Sequence, residues 1–431
     1  MKQMVGIKIN SKMAKKNNVS DALVIASLEH MVVRGKNLGA SFIHIEPRDK
    51  YILVRYRVGN NLVLGSKLPS DVYEQVLITL KNQAGLDPNE TKKTQESKVN
   101  IGKNNSPPIG MSIMPIINGE KIIFDLRQNT NTKVDLAQSG YWGENLYLLN
   151  RNTQRTRGLI IVSSQDSFGS IESIKNIANN LDYQGLQMAS LGSHIEAHLP
   201  KSITIKTSPD NEGHKLADRK SLKILLRRNP DAIFISYPKE SLVISLALKE
   251  ASSRLICIAM TSDESIGLLD KIIKLNEVHS TRNLTTICSQ KSIKKLCQSC
   301  KESYKPNKML SKKLIEENGL TFKKLHDLEL AALKDMVGSD LKELSSDDKN
   351  IKLLFRAKRH GCKECSNTGF DGTLNITELI DYDRDGLENI INKNNLNSSS
   401  IKKYLDDTGF ISMRTDNLIK CLRGLVEYNV I

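Results

Sequence analysis

The stretch RGLIIVSSQDSFGSIESIKNIANNL, Arg157 to Leu181, decides how the rest of the chain is read. Gly158 to Val162 is a short apolar, β-branched run suited to a buried strand, and Ile171 to Leu181 carries apolar residues at near-helical spacing. A Ser-rich loop lies between them. Strand, phosphate-sized loop and helix in that order are the frame of a P-loop, where backbone N–H groups and a helix N-terminus cradle phosphate oxygens. The frame is present, but most of its chemistry is missing. Against G-x-x-x-x-G-K-[ST], Ser164 stands at the first glycine, Gly169 at the second, Ser170 at the lysine and Ile171 at the magnesium-holding hydroxyl, so one position of four matches.

Downstream of this stretch, to about Cys288, short apolar runs alternate with helical ones: LQMASL, SITIKT, DAIFIS, LICIAM and LTTIC. That alternation predicts an α/β core over 158–288 with a largely parallel sheet, and a nucleotide in such a fold would lie at the carboxyl ends of the strands. Upstream, after a basic lead over 1–20, the spacing predicts a helix from Asp21 to Gly39 with Ser20 as its N-cap. FIHIEP and YILVRYRV read as a hairpin around Arg48, Asp49 and Lys50. Val72 to Ala84 reads as a helix ending at Gly85. MSIMPI and KIIFDL flank Asn118-Gly119, a tight-turn signal. Together these predict an α+β domain over 21–126. Residues 127–157 are polar and read as a linker with one helical piece, in which Trp142, the single tryptophan, is a packing anchor. The 289–380 segment is bounded by cysteine pairs, and 381–431 reads as short terminal helices.

A chain of 431 residues is too long for one ordinary core, and 39% hydrophobic with 26% charged residues is a globular composition. The formal charge of +15 points to an anionic partner or, equally, to compositional drift towards lysine. No apolar run approaches the roughly 20 residues that span a bilayer. The opening MKQMVGIKINSKMAKKNN lacks the apolar core of a signal peptide, so a cytoplasmic location is expected. Seven cysteines, an odd number, argue for thiols or metal ligation over a disulfide framework.

Cys297-x-x-Cys300 and Cys362-x-x-Cys365 are the sharpest local signal. Each C-x-x-C turn directs two thiolates at one point, and two turns supply the four sulfurs of a closed structural zinc site, with no position for a catalytic water. Lys294, Lys295, Lys301 and Lys363 flank them and favour thiolates. The 61 residues between Cys300 and Cys362 require a helical insertion to loop out; a redox pair or unrelated thiols are the other readings. Cys257, Cys288 and Cys421 read as core residues, and His44 and His360 as satisfied structural histidines.

The combination resembles a known family. ASFIHIEP, VRYRV, KNQAGLD, P-x-x-N-G-E-K, GLIIV before the loop, LLRRNPDAIFIS, LCQSCKE and GCKECSNTGF occur in the order found in the hexameric secretion ATPases of type II secretion and type IV pilus assembly. The resemblance covers roughly residues 20 to 425. It implies a RecA-like P-loop NTPase domain preceded by a small α+β domain and followed by a four-cysteine zinc element with terminal helices. It also implies a ring of six, peripheral to the inner membrane and working on a platform protein there. The docking domain that longer members place ahead of this region is expected to be missing.

The departures fall on the positions that carry catalysis in the family. Ser170 and Ile171 replace the lysine and the hydroxyl. The acidic box aligns with SLGSHIE, where Gly192 and Ser193 replace the paired acids and Glu196 survives. The Walker B glutamate becomes Tyr237, and the two histidines of the histidine box become Arg254 and Thr261. Of the arginines that contact phosphate across domains, Arg55 and Arg57 remain, while others align with Lys98, Gly110 and Asp125. Phosphoryl transfer needs positive charge on the β- and γ-phosphates, a held magnesium and an oriented water. The resemblance therefore points to a degenerate ATPase that binds ATP and magnesium poorly or not at all. Its expected role is a structural or regulatory subunit of a pilus, secretion or DNA-uptake machine, in a homo-hexamer or a hetero-hexamer, with co-assembly with an active ATPase paralogue as one option. Two other readings stand beside it: an active motor using a displaced Lys239 or Arg254, and a nucleic-acid-binding module using the +15 charge.

Overall fold

The computed structural model describes residues 21–428, except 59–60, 102–107, 127–134, 166, 182–184, 193–201, 207–217, 276–277, 336–349, 366, 383–386 and 388–397. Ser20, Ser193 and Glu196 lie outside the described residues. The chain forms two compact units, Met1–Thr130 with Arg359–Gly372, and Asn131–Lys358 with Thr373–Ile431.

The first unit is built on α1 (Asp21–Asn37), β1 (Phe42–Pro47), β2 (Tyr51–Val58), β3 (Asn61–Pro69), α2 (Tyr73–Gln83), β4 (Gln95–Val99), β5 (Ile109–Ile116) and β6 (Gly119–Asp125). Its six strands form one sheet in the order β3-β2-β1-β6-β5-β4, every neighbouring pair antiparallel. Strand β2 shows the two-residue period behind this arrangement: Ile52, Val54, Tyr56 and Val58 are buried, while the residues between them are half-buried. Val24, Leu28 and Met31 of α1 and Leu80 of α2 complete that core. The tight turn falls at Gly119, whose φ of 121° suits glycine. Strands β3 and β4 are not among the sequence expectations. Gln95–Val99 is mostly polar and pairs only at the sheet edge.

Strand β1 carries a buried carboxylate. The Glu46 carboxylate accepts from Arg55 at 2.6 Å and Arg48 at 3.0 Å and pairs with Lys121 at 2.9 Å. Burial alone would raise its pKa, but the hydrogen bonds from Arg55 and Lys121 override that and hold it near about 2. Burial, reinforced by Lys121, pushes His44 down to about 4. Neither ring nitrogen of His44 has a hydrogen-bond partner among the described residues, so it is not the satisfied histidine that the sequence suggests.

The second unit carries α3 (Gly143–Thr153), β7 (Gly158–Ser164), α4 (Ser167–Asn180), β8 (Met188–Gly192), β9 (Ile203–Lys206), α5 (Asp218–Leu226), β10 (Ala232–Ser236), α6 (Ser241–Glu250), β11 (Leu255–Thr261), α7 (Ser265–Leu275) and β12 (Leu284–Leu296). Together with β15 (Phe370–Asp381) these strands form a seven-stranded sheet in the order β15-β12-β7-β11-β10-β8-β9. All the pairs from β12 to β9 are parallel, as the alternating runs predict. Continuous apolar runs are needed because both faces are covered. Leu159, Ile161, Ile233 and Ile258 face a core completed by α5, α6 and α7, whereas Ile160, Val162, Phe234 and Cys257 face one completed by α3 and α4. Strand β15 escaped the sequence analysis; its first residues are mostly exposed and only its second half is continuously buried.

The polar stretch 127–157 contributes buried residues as well as its helix. Leu136, Tyr141, Leu148 and Leu149 enter the α3–α4 core. Trp142 is 2% exposed and its Nε1 donates to the buried Asp416 carboxylate, which also takes the Thr377 N–H and the Lys420 ammonium.

Linkage gives the first unit a defined acid response. Unfolded, His44 takes up a proton near pH 6.5, whereas folded it resists to about 4, so stability present above 6.5 is lost as pH falls through that window. Glu46 protonates near 4.5 unfolded and about 2 folded, so its contribution is present above 4.5 and is lost below it. Circular-dichroism melts at stepped pH should show the midpoint falling through both windows. His44→Gln should remove the upper fall only; an unchanged profile in that variant would contradict the assignment.

Candidate functional site

At the P-loop position, β7 ends at Ser164 and α4 begins at Ser167, so only Gln165 and Asp166 separate strand from helix. Both ends of the short connection are tied internally. The Ser170 N–H donates to Ser164 Oγ at 2.9 Å, and the Ser164 hydroxyl donates to Ser170 Oγ at 3.1 Å. Ser170 Oγ in turn donates to the Met260 carbonyl at 3.1 Å and lies 2.6 Å from the Tyr237 hydroxyl. Ser170 is fully buried and Ser164 is 2% exposed. A backbone N–H at the lysine position, which in a phosphate-binding loop would be aimed at an anion, is here given to a side chain of the same chain.

Tyr237 directly follows β10 and adopts φ 49°, an uncommon conformation for a residue with a Cβ. Its N–H donates to the Ala259 carbonyl of β11 at 2.9 Å, which holds the ring beside Ser170. Ile171 is 1% exposed and lies in the apolar core with Ile160 and Val162. Gly169 lies within the first turns of α4.

The two basic residues proposed as displaced catalysts are not equivalent. Arg254 donates to the Pro230 carbonyl at 3.1 Å and precedes β11 at Leu255, which pairs with Gly158 at the amino end of β7. Thr261 pairs with Ser164 at the other end. The six strand steps from Leu255 to Thr261, at about 3.3 Å each, place the Arg254 end of β11 roughly 20 Å from the loop. Lys239 lies beyond Tyr237, with its N–H on the Asp218 carboxylate at 2.8 Å. In the first unit, Arg55 is engaged by Glu46 at 2.6 Å, and Arg57 stands two residues on along β2. Lys98, Gly110 and Asp125 occupy one row across β4, β5 and β6.

The cysteines meet. One sulfur from each of Cys297, Cys300, Cys362 and Cys365 falls within 4.8 Å of all the others, close enough to hold a metal ion. Cys362 and Cys365 Sγ are 3.8 Å apart, the edge of a tetrahedron with zinc–sulfur bonds of about 2.3 Å. Cys365 Sγ accepts N–H bonds from Cys362 at 3.1 Å and Gly369 at 3.2 Å, which fix the sulfur within the turn. Gly361 has φ 49°, and a Cβ there would meet the backbone of Asn367, Thr368 and Gly369 at 2.6 Å. This knuckle requires glycine, a need visible in GCKECSNTGF only once the turn is built. Between the pairs lie α8 (Lys308–Glu317), α9 (Phe322–Asp335) and the antiparallel strands β13 (Glu302–Tyr304) and β14 (Leu354–Arg356), the expected helical insertion. The remaining cysteines are core residues: burial pushes Cys257 and Cys288 up to about 12, and Cys421 upward too.

A family model described as type II/IV secretion system protein matches residues 17–430. The chain belongs to this family. Over 413 residues it is 22% identical to the type IV pilus assembly ATPase PilB of Pseudomonas aeruginosa, covering 94% of this chain and 66% of that protein. Over 413 residues it is 23% identical to the type II secretion system ATPase E of Vibrio cholerae, covering 94% and 74%. The chain thus spans just under two thirds of the length of that PilB. The X-ray structure of the Legionella pneumophila ATPase DotB shares the fold, with a TM-score of 0.59 at 10% identity, covering 94% of this chain and 93% of that one.

Within this family member, the Ser170–Tyr237 contact has a direct test. In a double-mutant cycle, Ser170→Ala and Tyr237→Phe should couple by about 0.5–1.5 kcal/mol in urea unfolding, the usual net range of one hydrogen bond. Additive effects would mean that the two hydroxyls do not bond.

Proposed function

We propose that this chain is a catalytically degenerate secretion and pilus-assembly ATPase, a structural or regulatory subunit of a pilus, secretion or DNA-uptake machine. On this reading it sits on the cytoplasmic side of the inner membrane, against a platform protein, in a homo- or hetero-hexameric ring, the mixed ring taking its power from an active paralogue. Among the described residues, no helix is long and apolar enough to cross a membrane, so attachment would run through partners.

The observation that carries this reading is the closure of the phosphate position. The Ser170 N–H is taken by Ser164, and the Ser170 hydroxyl is shared among Ser164, Met260 and Tyr237. A phosphate would have to break these bonds and would find Ser170 where the loop lysine is needed. Contacts to charge developing in a transition state are typically worth about 3–4 kcal/mol each, so loss of the lysine alone lowers turnover severely. Ile171 offers apolar carbon where the metal hydroxyl is needed, and Arg254 is at the wrong end of the sheet. The purified full-length chain should show no magnesium-dependent release of phosphate from ATP, and calorimetry with millimolar ATP should show no binding heat. Turnover that is lost on Ser170→Ala would overturn the assignment.

We further propose that the four cysteines hold a structural zinc. With four sulfurs supplied by the protein, such a site is closed, and the ion's contribution is to tie two segments together. Elemental analysis should find about one zinc per chain. Cys297→Ser with Cys362→Ser should abolish it and lower the melting temperature; retained stoichiometry in that variant would refute the site.

A further inference from the structure

The second unit contains a cavity of about 710 Å³ at the carboxyl ends of the parallel strands, beside the closed phosphate position. Gln165 after β7, Glu264 after β11 and Gln290 on β12 form its floor, and the end of α8 and the helices Ser398–Asp407 and Met413–Leu422 supply the rest. In a chain of net charge +15, its lining has the opposite sign: Asp263, Glu264, Glu316, Glu317, Glu378 and Asp406 against Lys291, Lys402 and Arg414.

The carboxylates do not converge on a point. Among the described residues only the four cysteines gather ligand atoms closely enough for a metal ion. The acids are instead interleaved with Ile266, Phe410 and Met413, apolar surface of the kind that covers the methylene stems of lysine and arginine. A separate observation comes from Gln290, 1% exposed. Its Oε1 accepts from Tyr141 and Ser173, each at 2.7 Å, while its Nε2 has no partner among the described residues. A buried amide donor without an acceptor is uncommon, and a ligand carbonyl would satisfy it.

We propose that this cavity binds a lysine- or arginine-bearing peptide segment of a partner protein. The carboxylates pair with its side-chain cations, the apolar residues carry the stems, and the Gln290 amide donates to a backbone carbonyl. The site is independent of whether the chain hydrolyses ATP.

Fluorescence anisotropy of the full-length chain with a labelled octapeptide of alternating lysine and glycine tests this. Binding should saturate at low salt and weaken as salt is raised. The triple variant Glu316→Gln, Glu317→Gln, Asp406→Asn removes three exposed cavity charges, of which Glu316 and Glu317 pair with exposed lysines at 3.5 and 3.7 Å, and it should weaken binding about tenfold or more. Asp71→Asn, Glu74→Gln, Glu96→Gln removes the same charge from exposed positions in the other unit and should leave binding within about twofold. Equal losses in the two variants, equal binding of an aspartate–glycine octapeptide, or no binding at low salt would overturn the proposal. Spermidine displacing the peptide at matched concentration would overturn its peptide part and reassign the cavity to a free polyamine.

Discussion

Strand β7 is the constraint on which the larger unit depends. All seven of its residues are buried, it pairs in parallel with β11 on one edge and β12 on the other, and its side chains enter two separate cores. A strand committed on both edges and both faces has no freedom of register, because a one-residue slip would exchange its two cores. Ser164 is therefore fixed at the carboxyl edge, facing Thr261 and Gln290 across the neighbouring strands. The closed phosphate position and the acidic cavity both lie along that edge.

Polar groups buried around this sheet hold the flanking segments in place. Asp416 collects Trp142, the Thr377 N–H and Lys420, three partners from the segment before α3, from β15 and from its own helix. Arg151 and Asn152 of α3 likewise meet Asp381 at the end of β15. Removing one member of such a buried pair typically destabilises by about 3–5 kcal/mol, because the other charge is stranded. These bonds make Trp142 more than the apolar anchor its composition suggests, and they account for a polar stretch before β7 being part of a packed unit.

The same economy of partners holds where β7 gives way to α4. In an active phosphate loop the backbone N–H groups stay unpaired until an anion arrives. Here Ser164, Ser170 and Tyr237 satisfy one another, so the loop region needs no ligand to be stable. Tyr237 keeps an uncommon backbone conformation to do so, which ties the end of β10 to the start of α4 directly.

Much of this was legible in the order of residues. Apolar runs alternating with helical ones announced a largely parallel α/β sheet, the strand-like runs on either side of Arg48, Asp49 and Lys50 announced a hairpin, and the C-x-x-C spacings announced a four-sulfur site, because each signal is local and set by chain geometry. The absence of the lysine and of the metal hydroxyl is likewise a matter of residue type alone. Strands β3, β4 and β15 were not legible, since edge strands keep much of their surface polar and their pairing depends on a distant neighbour. Only the tertiary structure decided that Ser170 meets Tyr237, that Arg254 lies about 20 Å from the loop along β11, that the ring nitrogens of His44 have no hydrogen-bond partner among the described residues, and that six carboxylates from four segments line one cavity beside Gln290. Those facts join residues far apart in the chain, and no local pattern encodes a distance that only packing sets.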